Sequence, residues 1–343
     1  MIILGIETSC DETASALVKD GNKIISSVVA SQEKIHSKYF GVVPELASRA
    51  HLEKINYVIE KTLVAGSEKF DIVAYTSGPG LLGSLLVGQI VASTIGYVRN
   101  VPVVPVNHLE GHILSVLFDN PALKPPFLSL IVSGGHTELV IVKKIGQYKV
   151  LGRTRDDACG ESFDKVAKML RIGYPGGPKI EKLAKSGGPG SIKFPRPYLW
   201  GNWDFSFSGI KTAVLYHLRG KYPDPGEKIS RKDIVNVCAS FQQAVIDTLV
   251  HKTIKCSQQY KLNNIAVAGG VSANGTLRRQ FVNAVNREKS MKIYFPEIKL
   301  STDNAAMIAS AGYYRAMQLK KENKLGKGFS FSNNKVNPDL ELD

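Results

Sequence analysis

Two histidines four residues apart, in His108-Leu109-Glu110-Gly111-His112, are the side chains best spaced for metal chemistry in this chain. Positions i and i+4 share one face of a helix, and paired imidazoles in that register hold transition metals. The pair follows the apolar run of residues 101–106, which reads as a buried strand. In open α/β sheets, ligands collect where a strand gives way to a helix. The same spacing also fits two histidines simply packed on a helix face. A metalloprotease of the His-Glu-x-x-His type carries its glutamate directly after the first histidine. Here Glu110 stands third, which turns its carboxylate away from the histidine face.

Three turns rich in glycine and hydroxyl residues each follow a strand: residues 8–13, 133–137 and 269–274. Small residues let backbone N–H groups approach an anion closely, so each is a candidate phosphate contact, or a plain tight turn. None is a P-loop and none has the Gly-x-Gly-x-x-Gly dinucleotide pattern. Cys10 has no evident base beside it and reads as a small buried residue rather than a nucleophile.

The elements that must position these residues repeat. Strands are expected over 2–6, 14–18 and 23–30, a long amphipathic helix from Pro44 through Leu63, a strand over 71–75, a helix over 85–98 and a strand over 101–106. After a turn-rich break at 120–126, strands over 127–132, 138–142 and 148–153 restart the pattern. The strand over 264–268 and its glycine turn echo residues 75–84. That order predicts two similar α/β lobes with a cleft between them.

The chain has 343 residues, enough for two domains and a large unstapled core. Its four cysteines lie far apart with no Cys-x-x-Cys, which argues against a disulfide framework or a thiolate zinc site. No signal peptide is read before the first strand and no apolar run of membrane-span length is read anywhere, so a cytoplasmic protein without a membrane is expected. The net charge of +14 suits a polyanionic partner, and equally a generally basic proteome.

Motifs along nearly the whole chain resemble the tRNA N6-adenosine threonylcarbamoyltransferases, once labelled O-sialoglycoprotein endopeptidases. They include Gly5-Ile6-Glu7-Thr8-Ser9-Cys10-Asp11-Glu12-Thr13, Pro44-Glu45-Leu46-Ala47-Ser48-Arg49-Ala50-His51, the histidine pair, and Val132-Ser133-Gly134-Gly135-His136-Thr137. Gly160-Glu161-Ser162-Phe163-Asp164-Lys165, Tyr174-Pro175-Gly176-Gly177-Pro178, Phe205-Ser206-Phe207-Ser208-Gly209 and Thr302-Asp303-Asn304 continue the match. Ile131 stands where archaeal and eukaryotic relatives carry a metal-binding tyrosine, and His136 follows the Ser-Gly-Gly turn; both resemble the bacterial-type branch, which includes organellar copies.

The resemblance implies an α/β, two-lobed actin-like ATPase fold (the ASKHA, or actin/Hsp70/sugar-kinase, superfamily) with duplicated ribonuclease H-like lobes and a central cleft. The expected organisation is a first lobe over 1–119 completed by a C-terminal helix over 303–322, a second lobe over 120–302 with a basic insertion at 185–232, and a tail over 323–343. The implied reaction transfers a threonylcarbamoyl group from threonylcarbamoyl-AMP to N6 of adenosine 37 of tRNA, giving t6A. A metalloprotease and a nucleotide-binding or sugar-kinase-like protein are the alternatives.

By the same resemblance, His108, His112 and Asp303 bind one divalent ion, Fe2+ or Zn2+, in a cleft closed by both lobes. On sequence alone Asp303 reads first as a helix N-cap, and the resemblance reverses that reading. Ile131, Val132, Ser133, Gly134, Gly135, Asp164, Gly177, Glu181 and Asn274 are implied adenylate contacts; Glu181 stands where relatives often carry Asp. Asp11 and Glu12 are read as catalytic support. Lys165, Lys168, Arg171, Lys193, Arg196 and Lys211, with Tyr198, Trp200 and Trp203 among them, suit RNA backbone and an unstacked base, or an ordinary exposed face. Implied partners are tRNA, a paralogous inactive lobe-pair protein (TsaB-like) on helices around 36–63 and 85–98, a small ATPase (TsaE-like), and a TsaC/Sua-type synthase supplying the adenylate.

Overall fold

The first strand, β1 (Ile2–Glu7), alternates its side chains between two helical layers. Ile3 packs with Ala14, Ala16, Ala74 and a run of C-terminal helix residues from Ala305 to Ala316. Leu4 and Ile6 pack on the opposite face with Leu17, Ile55, Val73 and Val87. The computed structural model describes residues 1–66, 69–199, 201–224, 226–288, 290–326 and 335–342. The chain divides into two compact units, Met1–Leu123 with Lys144–Tyr148 and Pro296–Asp343, and Lys124–Lys143 with Lys149–Phe295. Trp200 and residues 327–334 and 343 of the tail lie outside the described residues.

In chain order, β1 is followed by β2 (Glu12–Lys19), β3 (Lys23–Ser31), α1 (Glu33–His36), α2 (Pro44–Gly66), β4 (Ile72–Gly78), α3 (Leu82–Arg99), β5 (Val103–Asn107) and α4 (His108–Ser115). Next come β6 (Phe127–Val132), β7 (Thr137–Lys144), β8 (Gln147–Arg153), α5 (Cys159–Met169), α6 (Gly176–Ala184), α7 (Ser208–Lys221), α8 (Arg231–Tyr260), β9 (Asn264–Ala268), α9 (Gly275–Asn286) and β10 (Lys292–Tyr294). Helices α10 (Ile298–Ser301) and α11 (Ala305–Lys321) return the chain to the first unit.

The two sheets run β3-β2-β1-β4-β5 and β10-β9-β6-β7-β8. Counted from each unit's own first strand, both read third, second, first, fourth, fifth. The first two strands pair antiparallel in each unit and the fourth joins the first in parallel. The repeat expected from the order of elements is therefore present in the topology. Strand β2 starts earlier than expected: Glu12 already pairs with Ser31 of β3, so the first turn ends at Asp11.

Helix α11 lies very close to β1. A Cβ on Gly5 would come within 2.3 Å of the Ala305 carbonyl oxygen, and one on Gly312 within 2.3 Å of Ala74 Cβ. Glycine on the strand and alanine on the helix permit that approach.

One expectation fails at α3. No run of membrane-span length was expected, yet this helix has 18 residues and a hydropathy of 1.2. Glycines, serines and a threonine are interspersed among its apolar residues. Ser84, Leu85, Val87, Gly88, Ala92, Ser93 and Gly96 are buried, packed on β4 and α2. The other side exposes Leu82, Leu86, Ile90, Tyr97 and Val98.

Candidate active site

The histidine pair opens α4 because Asn107 caps it: the Asn107 Oδ1 accepts from the backbone N–H groups of Leu109 at 2.8 Å and Glu110 at 3.3 Å. His108 and His112 stand one turn apart, ring centroids 4.7 Å from each other. Asp303 Oδ1 lies 3.5 Å from His108 Nε2 and 3.1 Å from His112 Nε2. One ligand atom from each of the three residues falls within 4.8 Å of the others. Although Asp303 is near, neither ring nitrogen of the fully buried His112 has a partner in hydrogen-bonding geometry. A buried imidazole left that way is costly, and two imidazoles with one carboxylate are a ligand set for Zn(II) or Fe(II). The residues fit a metal ion.

Asp303 reaches the pair because Asn304, not Asp303, caps α11: the Asn304 Oδ1 accepts from Met307 N–H at 3.0 Å. The neighbouring asparagine takes the capping role that the sequence left open for Asp303. Helix α4 also packs tightly on α11, with Gly111 facing Met307 and Ile308. All three ligands belong to the first unit. The ligand from the far end of the chain arrives on the segment just before α11, which folds back into the first unit.

Glu7 was missed by sequence reasoning. Its Oε2 lies 2.9 Å from His108 Nδ1 and accepts from the Thr76 hydroxyl at 2.7 Å. Its Oε1 accepts from Ser9 N–H at 2.5 Å. Burial opposes its charge, but the His108 imidazole outweighs burial and holds the Glu7 carboxyl below its usual range. Burial likewise disfavours the charged imidazole of His108, and the carboxylates of Asp303 and Glu7 overcome it and raise its pKa. The signal was available: Glu7 is the one acid in an otherwise apolar strand, and a fully buried acid requires a partner. By fixing Nδ1, Glu7 leaves Nε2 of His108 directed to the ligand cluster. Metals are commonly held by such carboxylate–histidine pairs. Glu7→Gln is expected to weaken metal affinity roughly 10–100-fold in a metal titration; unchanged affinity would remove Glu7 from the site.

Asp11 ends the turn that leads from Glu7, and Glu12 opens β2. Partial burial and the neighbouring carboxylates of Asp11 and Asp303 push the Glu12 carboxyl well above the ordinary glutamate value. The same surroundings raise the Cys10 thiol, burial first and Asp11 second, so Cys10 carries no thiolate at neutral pH. In this turn Thr8 donates its hydroxyl to the Ser84 carbonyl at 2.8 Å, and Ser9 Oγ sits 3.2 Å from His108 Nδ1. These hydroxyls are committed to the protein.

Glu110 points elsewhere, as its register requires. It accepts from the Tyr148 hydroxyl at 2.7 Å, beside a cavity of about 680 Å³ lined also by Tyr314 and Arg315. Burial raises its pKa, and the Tyr148 hydrogen bond only partly offsets that. The histidine pair therefore lacks the glutamate base of a zinc protease. A carboxyl whose pKa is raised on folding costs stability once pH exceeds its unfolded value, and the cost grows until pH passes the folded value. Glu110→Gln keeps an acceptor for Tyr148 and removes the charge. Thermal melts are expected to show it more stable than the parent at neutral pH, with the difference vanishing in acid; equal melts at pH 7 would contradict this.

The implied adenylate residues all lie in the second unit. Ser133 N–H donates to the His136 carbonyl at 2.8 Å, and Gly160 and Glu161 N–H groups donate to the Ser133 and Gly134 carbonyls. This seats the 133–135 turn on the start of α5. Asp164 Oδ1 accepts from Gly176 N–H at 2.6 Å, at the start of α6. Glu181 Oε1 accepts from Gly275 N–H at 2.8 Å, at the start of α9. Asn274 caps α9 through Oδ1 and donates through Nδ2 to Gln242 Oε1 at 2.8 Å. Ile131 and Val132 are wholly buried side chains of β6, leaving only backbone for a ligand. The structure thus brings the 133–135 turn, α5, α6 and the 274 turn into one connected set. Added Cβ atoms on Gly134, Gly135 and Gly177 would meet nothing within 4 Å, whereas one on Gly269, at φ +88°, would come within 2.4 Å of the Val132 carbonyl oxygen. The first three are open backbone and the last is a packing requirement.

The profile of the tRNA N6-adenosine threonylcarbamoyltransferase family matches residues 23–310. The chain belongs to this family. A transferase of that description from Endomicrobium trichonymphae is 51% identical over 350 residues, covering 100% of this chain and 99% of that protein. One from Clostridioides difficile is 44% identical, covering 100% and 98%. Among solved structures, full-length HypF in a phosphate- and nucleotide-bound form aligns at TM-score 0.60 and 12% identity, over 95% of this chain and 47% of that one. An activator of 2-hydroxyisocaproyl-CoA dehydratase from Clostridium difficile with bound ADPNP aligns at TM-score 0.52 and 14% identity, over 94% and 97%. At such identities these structures speak to fold alone, the two-lobed actin-like α/β architecture.

The transferase makes t6A in tRNA and has the bacterial form of the family sequence; the family implies a metal-dependent enzyme, and the His108, His112 and Asp303 cluster could hold the ion. Of the residues expected to face RNA, several are engaged internally. Lys165 and Lys211 both pair with Asp157 at 2.5 Å, and Arg196 pairs with Asp247 at 2.9 Å. Tyr198 packs beside His251 and Trp203 beside Tyr260. Lys168, Arg171 and Lys193 are exposed.

Proposed function

We propose that this transferase takes the threonylcarbamoyl group from threonylcarbamoyl-AMP and places it on N6 of adenosine 37, using one divalent ion, Fe2+ or Zn2+, held by His108, His112 and Asp303. The observation that carries the reading is the buried His112 without a hydrogen bond, beside His108 and Asp303. When bound, the ion supplies Lewis-acid polarisation of an oxygen of the donor. Open backbone at Gly134, Gly135 and Gly177 admits the AMP portion. Asp164 and Glu181 offer carboxylates that accept from ribose hydroxyls. The N6 amine attacks the carbamoyl carbon, the bond to the phosphate oxygen breaks, AMP leaves, and N6 sheds a proton. Asp11 and Glu12, the carboxylates of the 8–12 turn, are the groups assigned to take that proton. Positioning and charge stabilisation supply most of the rate gain.

The apolar exposed residues of α2 and α3, among them Leu52, Tyr57, Leu86, Ile90 and Tyr97, support a protein partner on these helices, which we assign to the TsaB-like paralogue. The TsaE-like ATPase and the TsaC/Sua-type synthase complete a cytoplasmic system. The test is reconstitution of the purified chain with these partners, threonylcarbamoyl-AMP and unmodified tRNA. Nucleoside analysis is expected to find t6A at position 37, lost when a chelator strips the metal. Product formed equally well by the stripped enzyme, or none by the loaded one, would overturn the reading.

A further inference from the structure

Behind the 8–12 turn lies a buried polar chain with no role in the reaction as described so far. It contains Gln32, His36, His51 and Thr13, all with no exposed surface. At one end, Val43 N–H donates to His36 Nδ1 at 3.3 Å. At the other, His51 Nε2 lies 3.0 Å from the Cys10 carbonyl oxygen. The first group can only donate and the last can only accept, so the protons between them are determined. His36 accepts at Nδ1, carries its proton on Nε2, and donates to Gln32 Oε1 at 3.1 Å. The Gln32 amide nitrogen then faces His51 Nδ1 at 3.3 Å and the Ala47 carbonyl at 3.4 Å. Thr13 donates its hydroxyl to the same His51 Nδ1 at 2.8 Å. His51 is left as the Nε2–H tautomer, donating to Cys10. The bonds that link Val43, His36, Gln32, His51 and Cys10 run one way, from the start of α2 toward the turn. A separate bond, Gln32 N–H to the Asp11 carbonyl at 3.0 Å, holds the next residue of the turn. Burial lowers the pKa of both imidazoles and keeps them neutral, as the relay requires; Asp11 raises both, and Lys54 opposes it.

We propose that His51, its tautomer set by the Gln32 side chain, and Gln32 through that contact are positioning residues of the transferase, holding the Cys10 carbonyl and so setting where the Asp11 and Glu12 carboxylates stand. This rests on the reading of those two carboxylates as support for the transfer. The side chains touch backbone rather than substrate, so their effect falls on turnover. A bulky packing residue would serve a merely structural role as well; a one-way relay needs the donor at Nε2 of residue 51 and the amide donor at residue 32.

The discriminating variant is Gln32→Glu, equal in size. It keeps the acceptor for His36 and places a carboxylate oxygen against His51 Nδ1 and the Ala47 carbonyl, which forces a second proton onto His51. Nitrogen-15 imidazole spectra of the full-length protein are expected to show the Nε2–H tautomer for His51 in the parent and the doubly protonated ring in Gln32→Glu. In the reconstituted assay, kcat is expected to fall tenfold or more in Gln32→Glu and His51→Ala, with the KM for tRNA and the bound-metal content unchanged. His51→Gln, which returns a donor to the Cys10 carbonyl, is expected to recover part of the loss. A parent His51 protonated on Nδ1, or parent-like kcat in both Gln32→Glu and His51→Ala, overturns the proposal. If Gln32→Glu does not fold, the parent tautomer and the His51→Ala and His51→Gln pair still decide it. Failure of the proposed function is seen separately, as absence of t6A with the parent protein, and leaves the tautomer measurement standing.

Discussion

Alanine in place of His112 is expected to remove the bound metal and to lower t6A formation by roughly 10³-fold, about 4 kcal/mol in the activation free energy. The magnitude follows from what the side chain lacks. It is fully buried, neither nitrogen has a partner in hydrogen-bonding geometry, and its near neighbour is the Asp303 carboxylate 3.1 Å from Nε2, itself a metal-ligand type. Leucine there would pack as well and cost less. His108→Ala is expected to do the same to metal content, but with a larger loss of stability, because it strands the buried Glu7 carboxylate that now faces His108 Nδ1 at 2.9 Å. The cleanest member of the series is Asp303→Asn. It preserves shape, and α11 keeps its cap at Asn304, so the fold should survive with a lowered melting temperature from the lost pairing with His108, while metal affinity falls about 100-fold or more. Metal analysis of the three purified variants, with melts alongside, is the measurement. Full metal occupancy in Asp303→Asn together with His112→Ala would show that the cluster is not the metal site.

The metal site was only partly legible in the sequence. The histidine spacing and the preceding strand could be read directly, since i and i+4 contacts are local. Asp303 could not be chosen from 30 acidic residues on spacing; its contact depends on α11 folding back against β1, an approach permitted by Gly5, Gly111 and an alanine-rich helix face. Nor could the sequence say which of Asp303 and Asn304 caps that helix. Glu7 was passed over because it closes an apolar strand and looks like the first residue of a turn, although burial alone made it conspicuous. The lobes were legible because strand order repeats, while their composition from discontinuous segments is a matter of long-range packing. His51 and Gln32 show the same limit: their polarity is set by two backbone groups, Val43 N–H and the Cys10 carbonyl, that only the folded chain brings to the ends of one relay.

Valine at Gly134 or Gly177 is expected to raise the apparent KM for threonylcarbamoyl-AMP by about 100-fold or to abolish measurable binding, while leaving the fold intact. The expectation rests on a contrast among glycines of the second unit. At Gly134 and Gly177 an added Cβ meets no protein atom within 4 Å, and neither residue has a positive φ. The backbone does not need glycine there, so stability should change by no more than about 0.5 kcal/mol. What a side chain would displace is a ligand approaching the peptide N–H groups. Gly269 is the opposite case: its φ of +88° and the Val132 carbonyl oxygen 2.4 Å from an added Cβ make even alanine strained, at a cost of roughly 1–3 kcal/mol. Gly269→Ala should therefore lower the melting temperature, with ligand binding impaired only as the protein unfolds. Isothermal titration with a non-hydrolysable adenylate analogue and thermal melts on the three variants separate the two kinds of glycine. Tight binding retained by both Gly134→Val and Gly177→Val would move the adenylate away from this turn. Loss of stability in either would mean that the open backbone serves packing in the assembled enzyme rather than recognition. The metal occupancy of both variants should match the parent, because His108, His112 and Asp303 all belong to the first unit, and that makes a selective loss of adenylate binding readable as an effect on the nucleotide site itself.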